Sequence, residues 1–144
     1  MILNQNQILS SSQAITATAI SQNVINWGLT GVMYGDATNT LRDLGAGGEV
    51  PCLVQVVETF AGLTTLTITL ETADDAALTT NAVVLASSAA IPVASLKAGY
   101  KPGGLRFMPS GTMKQYYGLR YTVGGTNATA GKITAAIAVE VQSA

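Results

Sequence analysis

Leu66, Ile68 and Leu70 alternate with Thr65, Thr67, Thr69 and Glu71, the cleanest two-residue period in the chain. Such alternation marks a strand with one buried face. The same period runs through Tyr117, Leu119, Tyr121 and Val123, and again through Ile133, Ala135, Ile137, Val139 and Val141. With the glycine-rich residues 124–131 between them, residues 116–141 read as a hairpin of two strands. Residues 50–58 are apolar on both faces, with Val50, Cys52, Val54 and Val56 on one and Leu53 and Val57 on the other. That suits a central strand covered on both sides, with Pro51 at its start, where a missing donor is tolerated. Residues 59–62 read as the hairpin turn that joins it to residues 65–71.

Weaker patterns fill the remainder. Residues 1–12 are rich in Asn, Gln and Ser, with Ile2, Leu3, Ile8 and Leu9 as apolar studs. They read as an N-terminal arm, frayed or docked by adding to the sheet edge of another subunit, ahead of a single domain at 13–144. Residues 13–19 and 23–27 suggest a first strand or strand pair. Residues 28–48 hold six glycines with Asp36, Asn39 and Asp43, which is loop chemistry, and Trp27, Met33 and Tyr34 are positioned to anchor that loop to the body or to a partner. Residues 82–86 and 89–96 predict two short strands, the second broken by Pro92 and therefore placed at an edge. About eight strands with short turns and no long amphipathic helix predict an all-β fold, a jelly-roll-like β-sandwich with an extended N-terminal arm and a long early loop.

Composition changes this picture at the surface. Charged residues make up 10% of the 144, against about 25% in ordinary soluble domains. A surface of Thr, Ser, Asn, Gln, Ala and Gly is desolvated cheaply, which suits a protein packed against neighbours and equally suits an ordinary threonine-rich β surface. The net charge of −1 is unevenly placed: residues 1–75 hold seven acids against Arg42 alone, and residues 76–144 hold six bases against Glu140 alone. Halves of a sandwich interleave in space, so folding can erase that split. Cys52 is the single cysteine, so no internal disulfide forms, and its apolar setting predicts a buried thiol in a reducing compartment. The start lacks the basic and apolar regions of a secretory signal, no run is long enough to span a membrane, and no basic-aromatic stripe supports direct nucleic-acid binding.

Reaction chemistry is sparse. With no histidine, Ser-His-Asp and Cys-His systems are excluded. Asp74 and Asp75 read as a solvated turn. Glu58 and Glu71 could face each other across a hairpin, but a glycosidase pair needs a cleft that nothing in the sequence suggests. Residues 124–132 look superficially like a phosphate-binding loop, yet Thr126 stands where the motif needs Gly and Ile133 where it needs Ser or Thr. The segment also leads into a strand and offers no helix N-terminus. The expectation is a protein that is no enzyme and holds no cofactor and no metal.

Several segments together resemble a known family. They are Arg42-Asp43-Leu44-Gly45 with Gly48-Glu49; Val54-Gln55-Val56 with Glu58 and Phe60; residues 66–72; residues 89–99; and residues 119–125 with 131–135. In this order they are similar to the capsid cement, or decoration, proteins of tailed phages of the Bordetella-podophage type. Residues 29–41 look like an insertion relative to that pattern. The resemblance implies a self-associating sandwich on the outer surface of the virion, assembled in the host bacterial cytoplasm, that clamps neighbouring copies of the major capsid protein. A homodimer is the favoured form and a trimer the other. Candidate contact residues are the studs Ile2, Leu3, Ile8 and Leu9, the loop anchors Trp27, Met33 and Tyr34, and the basic positions Lys97, Lys101, Arg106 and Lys114. The alternative is a β-sandwich module for a host-surface glycan, with Trp27, Tyr34, Tyr100, Tyr116 and Tyr117 as stacking candidates.

Overall fold

The computed structural model describes residues 3–28, 31, 32, 34, 35, 37, 50–109 and 114–138. Among these residues eight strands run in chain order as β1 (Leu3–Ala14), β2 (Ala19–Ile20), β3 (Ile25–Asn26), β4 (Cys52–Ala61), β5 (Thr65–Ala73), β6 (Val83–Pro92), β7 (Tyr116–Gly124) and β8 (Ala130–Ala138). They form two antiparallel sheets, one ordered β1-β8-β4 and the other β2-β7-β5-β6, with β3 also paired to β7. The all-β sandwich expected from the alternation is therefore present. Most of the long loop at 28–48 lies outside the described residues.

The two expected hairpins are not hairpins. β4 and β5 lie in different sheets, and so do β7 and β8. Alternation identifies the buried face of a strand and is silent about which sheet owns it, so it does not distinguish a hairpin connection from a crossover. The two linkers are instead crossovers that run side by side. β4 pairs with β8 in one sheet, and β5 pairs with β7 in the other. From Cys52 to Thr65 the chain advances as many positions as its partner retreats from Ile137 to Gly124, so one register serves both sheets. Residues 52–73 and 116–137 thus form a single antiparallel ribbon folded once across the sandwich, the jelly-roll-like part of the fold. Register shifts around Glu58 and Ala61 absorb the bend.

The corner depends on contact between the two crossovers. Thr64 N–H donates to Gly124 O at 2.9 Å, Thr129 N–H donates to Ala61 O at 2.8 Å, and the Thr126 hydroxyl donates to Gly62 O. Gly62 sits at φ +88°, and a Cβ there would lie 2.9 Å from Thr129 N. Gly131 sits at φ +135° with its α-carbon against the Phe60 ring, leaving no room for a Cβ. Only glycine meets both demands, left-handed backbone and close approach.

Between the sheets lie the inward positions of β4, β5, β7 and β8: Val56 and Phe60, Leu66, Ile68 and Leu70, Tyr117, Leu119 and Tyr121, and Ile133, Ala135 and Ile137. β1 is a strand of this body. It runs on past residue 12, pairs with β8 from Leu3 opposite Ala138 to Ala14 opposite Lys132 with three register shifts on the way, and places Leu9 in the core at 2% exposure. Leu9 is thereby corrected from a stud for another subunit to a core residue. Its apolar side chain is satisfied by the chain's own sheet.

Edges are treated differently around the sandwich. β4 was expected to be central but ends its sheet, and residues 96–108 cover its outer edge through Phe60 N–H to Leu96 O, Val56 N–H to Tyr100 O and Cys52 N–H to Arg106 O. Residues 82–86 and 89–96, expected as two strands, give one strand, β6, with register shifts opposite β5 and Ala89 at φ +58°. β6 lies at an edge, as Pro92 implied.

Gly131→Ala is expected to lower unfolding free energy by about 3 kcal/mol, from strained backbone plus overpacking on Phe60. Gly99→Ala, at φ +91° with open space around it, should cost only about 1 kcal/mol. Urea unfolding of both variants checks the contrast; equal losses would mean that the corner is not close-packed.

Candidate functional site

Two tyrosines from one sheet reach polar groups of the other. Ser10 Oγ on β1 donates to Gln13 Oε1 at 2.7 Å, so its contact with Tyr121 Oη at 2.8 Å has the tyrosine as donor. Gln13 also accepts from Gln22 N–H and donates to Ile20 O, tying β1 to the β2 region. Tyr117 Oη lies 3.8 Å from Cys52 Sγ, and Trp27 meets the Tyr117 ring edge-on at 6.2 Å. Burial raises the pKa of both tyrosines and of the Cys52 thiol, the hydrogen bond to Tyr117 working against the shift of the thiol. These groups are neutral braces in the core, not nucleophiles.

A second polar constellation caps the end of the β5–β7 pair away from the corner. Arg120 Nε donates to both Glu71 oxygens, at 2.9 and 3.1 Å, and its Nη2 donates to Leu78 O at 2.7 Å. Leu78 is buried against Gly118, which has no side chain to bar it. The turn carrying Leu78 is built on Asp75, whose carboxylate accepts from Thr79 N–H, Thr80 N–H and the Thr79 hydroxyl. Lys114 Nζ donates to Asp74 at 3.3 Å and to Asn81 O at 2.6 Å, joining this turn to the start of β7. Glu58 and Glu71 are in different sheets and each has its own cation, Lys132 at 2.7 Å and Arg120 at 2.9 Å, so they form no acid/base pair. No group of three or more metal-ligating side chains occurs among the described residues.

The residues proposed as contacts scatter. Ile2 and Met33 lie outside the described residues, and Leu3 is described only as part of β1. Ile8 is half-buried, and its carbonyl accepts from Asn23 Nδ2. Trp27 is exposed on one side while its ring rests on Tyr117, and Tyr34 is fully exposed. Tyr117 has 0% exposure, which removes it as a stacking platform for a sugar. The glycine-rich loop folds onto the body through Ala128 N–H to Thr16 O, and Lys132 is used by Glu58. Lys114 is half-buried and committed to the Asp74 turn.

Lys97, Lys101 and Arg106 are spread along one segment, from Lys97 near Phe60 at one end of β4 to Arg106 beside Cys52 at the other. All three are exposed on residues 96–108, which run antiparallel to β4 and are bonded to it along their length. β6 ends at the corner, Val93–Ser95 forms a short 3-10 turn there, and the chain then returns along β4. A Cβ on Gly104 would lie 3.4 Å from Ser87 O, so the returning segment touches β6 midway. β6 and residues 96–108 thus form one side wall. Val83, Val84 and Phe107 are exposed large apolar residues on it, none of them singled out from sequence. The available signal was the uncharged run from Ala76 to Leu96.

The sequence pattern of the Bbp16 family matches residues 9–137. The chain belongs to the Bbp16 family. That match spans the sandwich from the core residue Leu9 of β1 to Ile137 near the end of β8, and the family name points to a Bordetella phage protein. No match is found among curated proteins. No helix among the described residues is long and apolar enough to cross a membrane.

In this Bbp16-family chain the acid-sensitive element is the Asp75 turn. Donation from Thr80 N–H and from Thr79 holds the Asp75 carboxyl down to about 2. Asn81 and Lys114 lower Asp74, and Lys132 lowers Glu58. A carboxyl depressed on folding stabilises above its unfolded value of about 3.9 and loses that contribution as pH falls toward the folded value. The melting temperature is therefore expected to fall between about pH 4 and pH 2. Asp75→Ala should melt lower at pH 7 and show a shallower acid decline, measured by circular dichroism across that range.

Proposed function

We propose that this chain is a structural virion protein that binds the outer surface of a phage capsid and cements neighbouring major capsid protein subunits against internal pressure. The observation that carries the reading is the Bbp16 match across nearly the whole sandwich, in a family whose name points to a phage. The chain acts by binding, without turnover. Two features support this.

Low surface charge leaves few ions to desolvate when two faces meet. The body is braced by bonds that cross between sheets, Ser10 to Tyr121 among them, so a clamp made of it resists distortion. Self-association, as a dimer in the favoured form, would give each assembly several contacts across a junction between capsid subunits. Linked contacts raise avidity by roughly 10²–10⁴ over one contact. Separating two subunits then requires breaking the added interfaces as well as the original one.

The test uses heads of the phage that encodes this chain, prepared without it and then reconstituted. Reconstituted heads should bind the protein and release packaged DNA at a higher temperature than bare ones. Bare heads that hold their DNA equally well under heat and low-salt shock would overturn the cementing role.

A further inference from the structure

Residues 96–108 follow the edge of β4 as a further strand of its sheet would, yet none of them belongs to one of the eight strands. Phe60 N–H donates to Leu96 O at 3.0 Å and Val56 N–H to Tyr100 O at 2.9 Å, so four positions of the segment match four of β4. Cys52 N–H donates to Arg106 O and Met108 N–H to Val50 O, so two positions match two at the far end. Between these stretches the segment spends six positions, from Tyr100 to Arg106, on the four from Val56 to Cys52. Antiparallel register is thus kept except for an excess of two residues in the middle. The excess falls at residues 102–104, where Pro102 has no N–H to donate and Gly104 sits at φ +79°. Nearer the corner the path kinks again, as Tyr100 N–H turns back to Lys97 O at 2.9 Å and Gly99 sits at φ +91°. Leu96, Leu105 and Met108, all buried, peg this irregular path into the core.

We infer that this segment is a guard: it takes the place on β4 that a strand of a second copy would take, and its broken path keeps the sheet from being extended past it. An uncovered end strand presents a row of N–H and C=O groups that pairs with the same row on another molecule. Two copies meeting through β4 would form one continuous sheet about a two-fold axis. β4 is well suited to that error, because residues 52–57 hold five apolar residues, Gln55 and no charge. A regular strand laid on β4 would only move the open edge outward by one strand. Residues 96–108 satisfy β4 and offer no straight ladder of their own.

β6, across the same margin, is blunted by other means. Ala89 N–H donates to Ser87 Oγ and Ala89 O accepts from Ser88 Oγ, with Ala89 in left-handed backbone at φ +58°. A Cβ on Gly104 would lie 3.4 Å from Ser87 O, so the excess in the guard comes to rest against the bulge of β6. Both sheets therefore end at this margin in irregular backbone, and the two irregularities meet. Association between copies is confined there to side-chain contacts. The inference concerns the chain alone and is independent of the cementing role.

The experiment regularises the guard. Deleting Gly103 and Gly104 together with Pro102→Thr removes the excess and leaves the segment in continuous register with β4. Gly103→Ala, where a Cβ meets open space, is the control. Circular dichroism follows folding, sedimentation over a concentration series follows assembly size, and amide hydrogen exchange follows the edge. The deletion variant should stay folded, move into assemblies larger than those of wild type and of the control at equal concentration, and gain protection on residues 97–106 as it does so. A folded deletion variant that sediments like wild type overturns the guard. Where the deletion variant does not fold, Leu105→Ala decides, read at a temperature where its circular dichroism is native. Exchange at Val56 and Phe60 should quicken about tenfold in dilute solution, and slow again as larger assemblies form and the edge is paired anew. Leu105→Ala that makes no larger assemblies, or makes them with those amides still exchanging fast, overturns the inference. Wild type whose Val56 and Phe60 amides exchange as freely as an unstructured chain overturns it as well, because the edge is then uncovered.

Discussion

The structure depends on one tight approach, where the crossover from β4 to β5 passes the crossover from β7 to β8. Thr64 with Gly124, Thr129 with Ala61 and Thr126 with Gly62 sew the two passages together. Because they bend as a pair, the register between β5 and β7 is recovered between β4 and β8 beyond the shifts at Glu58 and Ala61. Every inward side chain of both sheets is then directed at the same interior, and β1, β2, β3 and β6 need only attach to a completed ribbon. A bulky residue at Gly131 would meet the Phe60 ring at this point, and the error would reach both sheets.

Much of this was legible in the chain. Alternation located β5, β7 and β8 and named their buried faces, because a strand's period depends only on which side meets water. It could not assign sheets, since a glycine-rich linker serves a hairpin and a crossover equally well. Leu9 failed for a related reason. A polar run with isolated leucine and isoleucine looks like a tether, but Ser10, Gln13 and Tyr121 complete a buried network that no local pattern reveals. β6 read as two strands because the bulge near Ala89 breaks the period in mid-strand.

The candidate surface was less legible than the fold. Lys97, Lys101, Arg106 and Lys114 look alike in sequence, and tertiary structure separates them: three lie on the side wall, and the fourth ties down a turn. The charge split between chain halves is reduced on folding, as Lys114, Arg120 and Lys132 meet the first-half acids Asp74, Glu71 and Glu58. Val83, Val84 and Phe107 became visible only once β6 proved to be an edge strand and residues 96–108 its neighbour.

The paired corner also sets how the body carries load. The two crossovers, with residues 15–18 leading from β1 to β2 beside them, join the sheets along one margin, while farther from it core packing and the tyrosine contacts to Ser10 and Cys52 hold the sheets together. A pull that opens the sandwich from the far margin works against those contacts one after another, as in peeling. A pull at the corner must stretch backbone. The molecule is therefore mechanically anisotropic, and its stiff direction is fixed by chain connectivity.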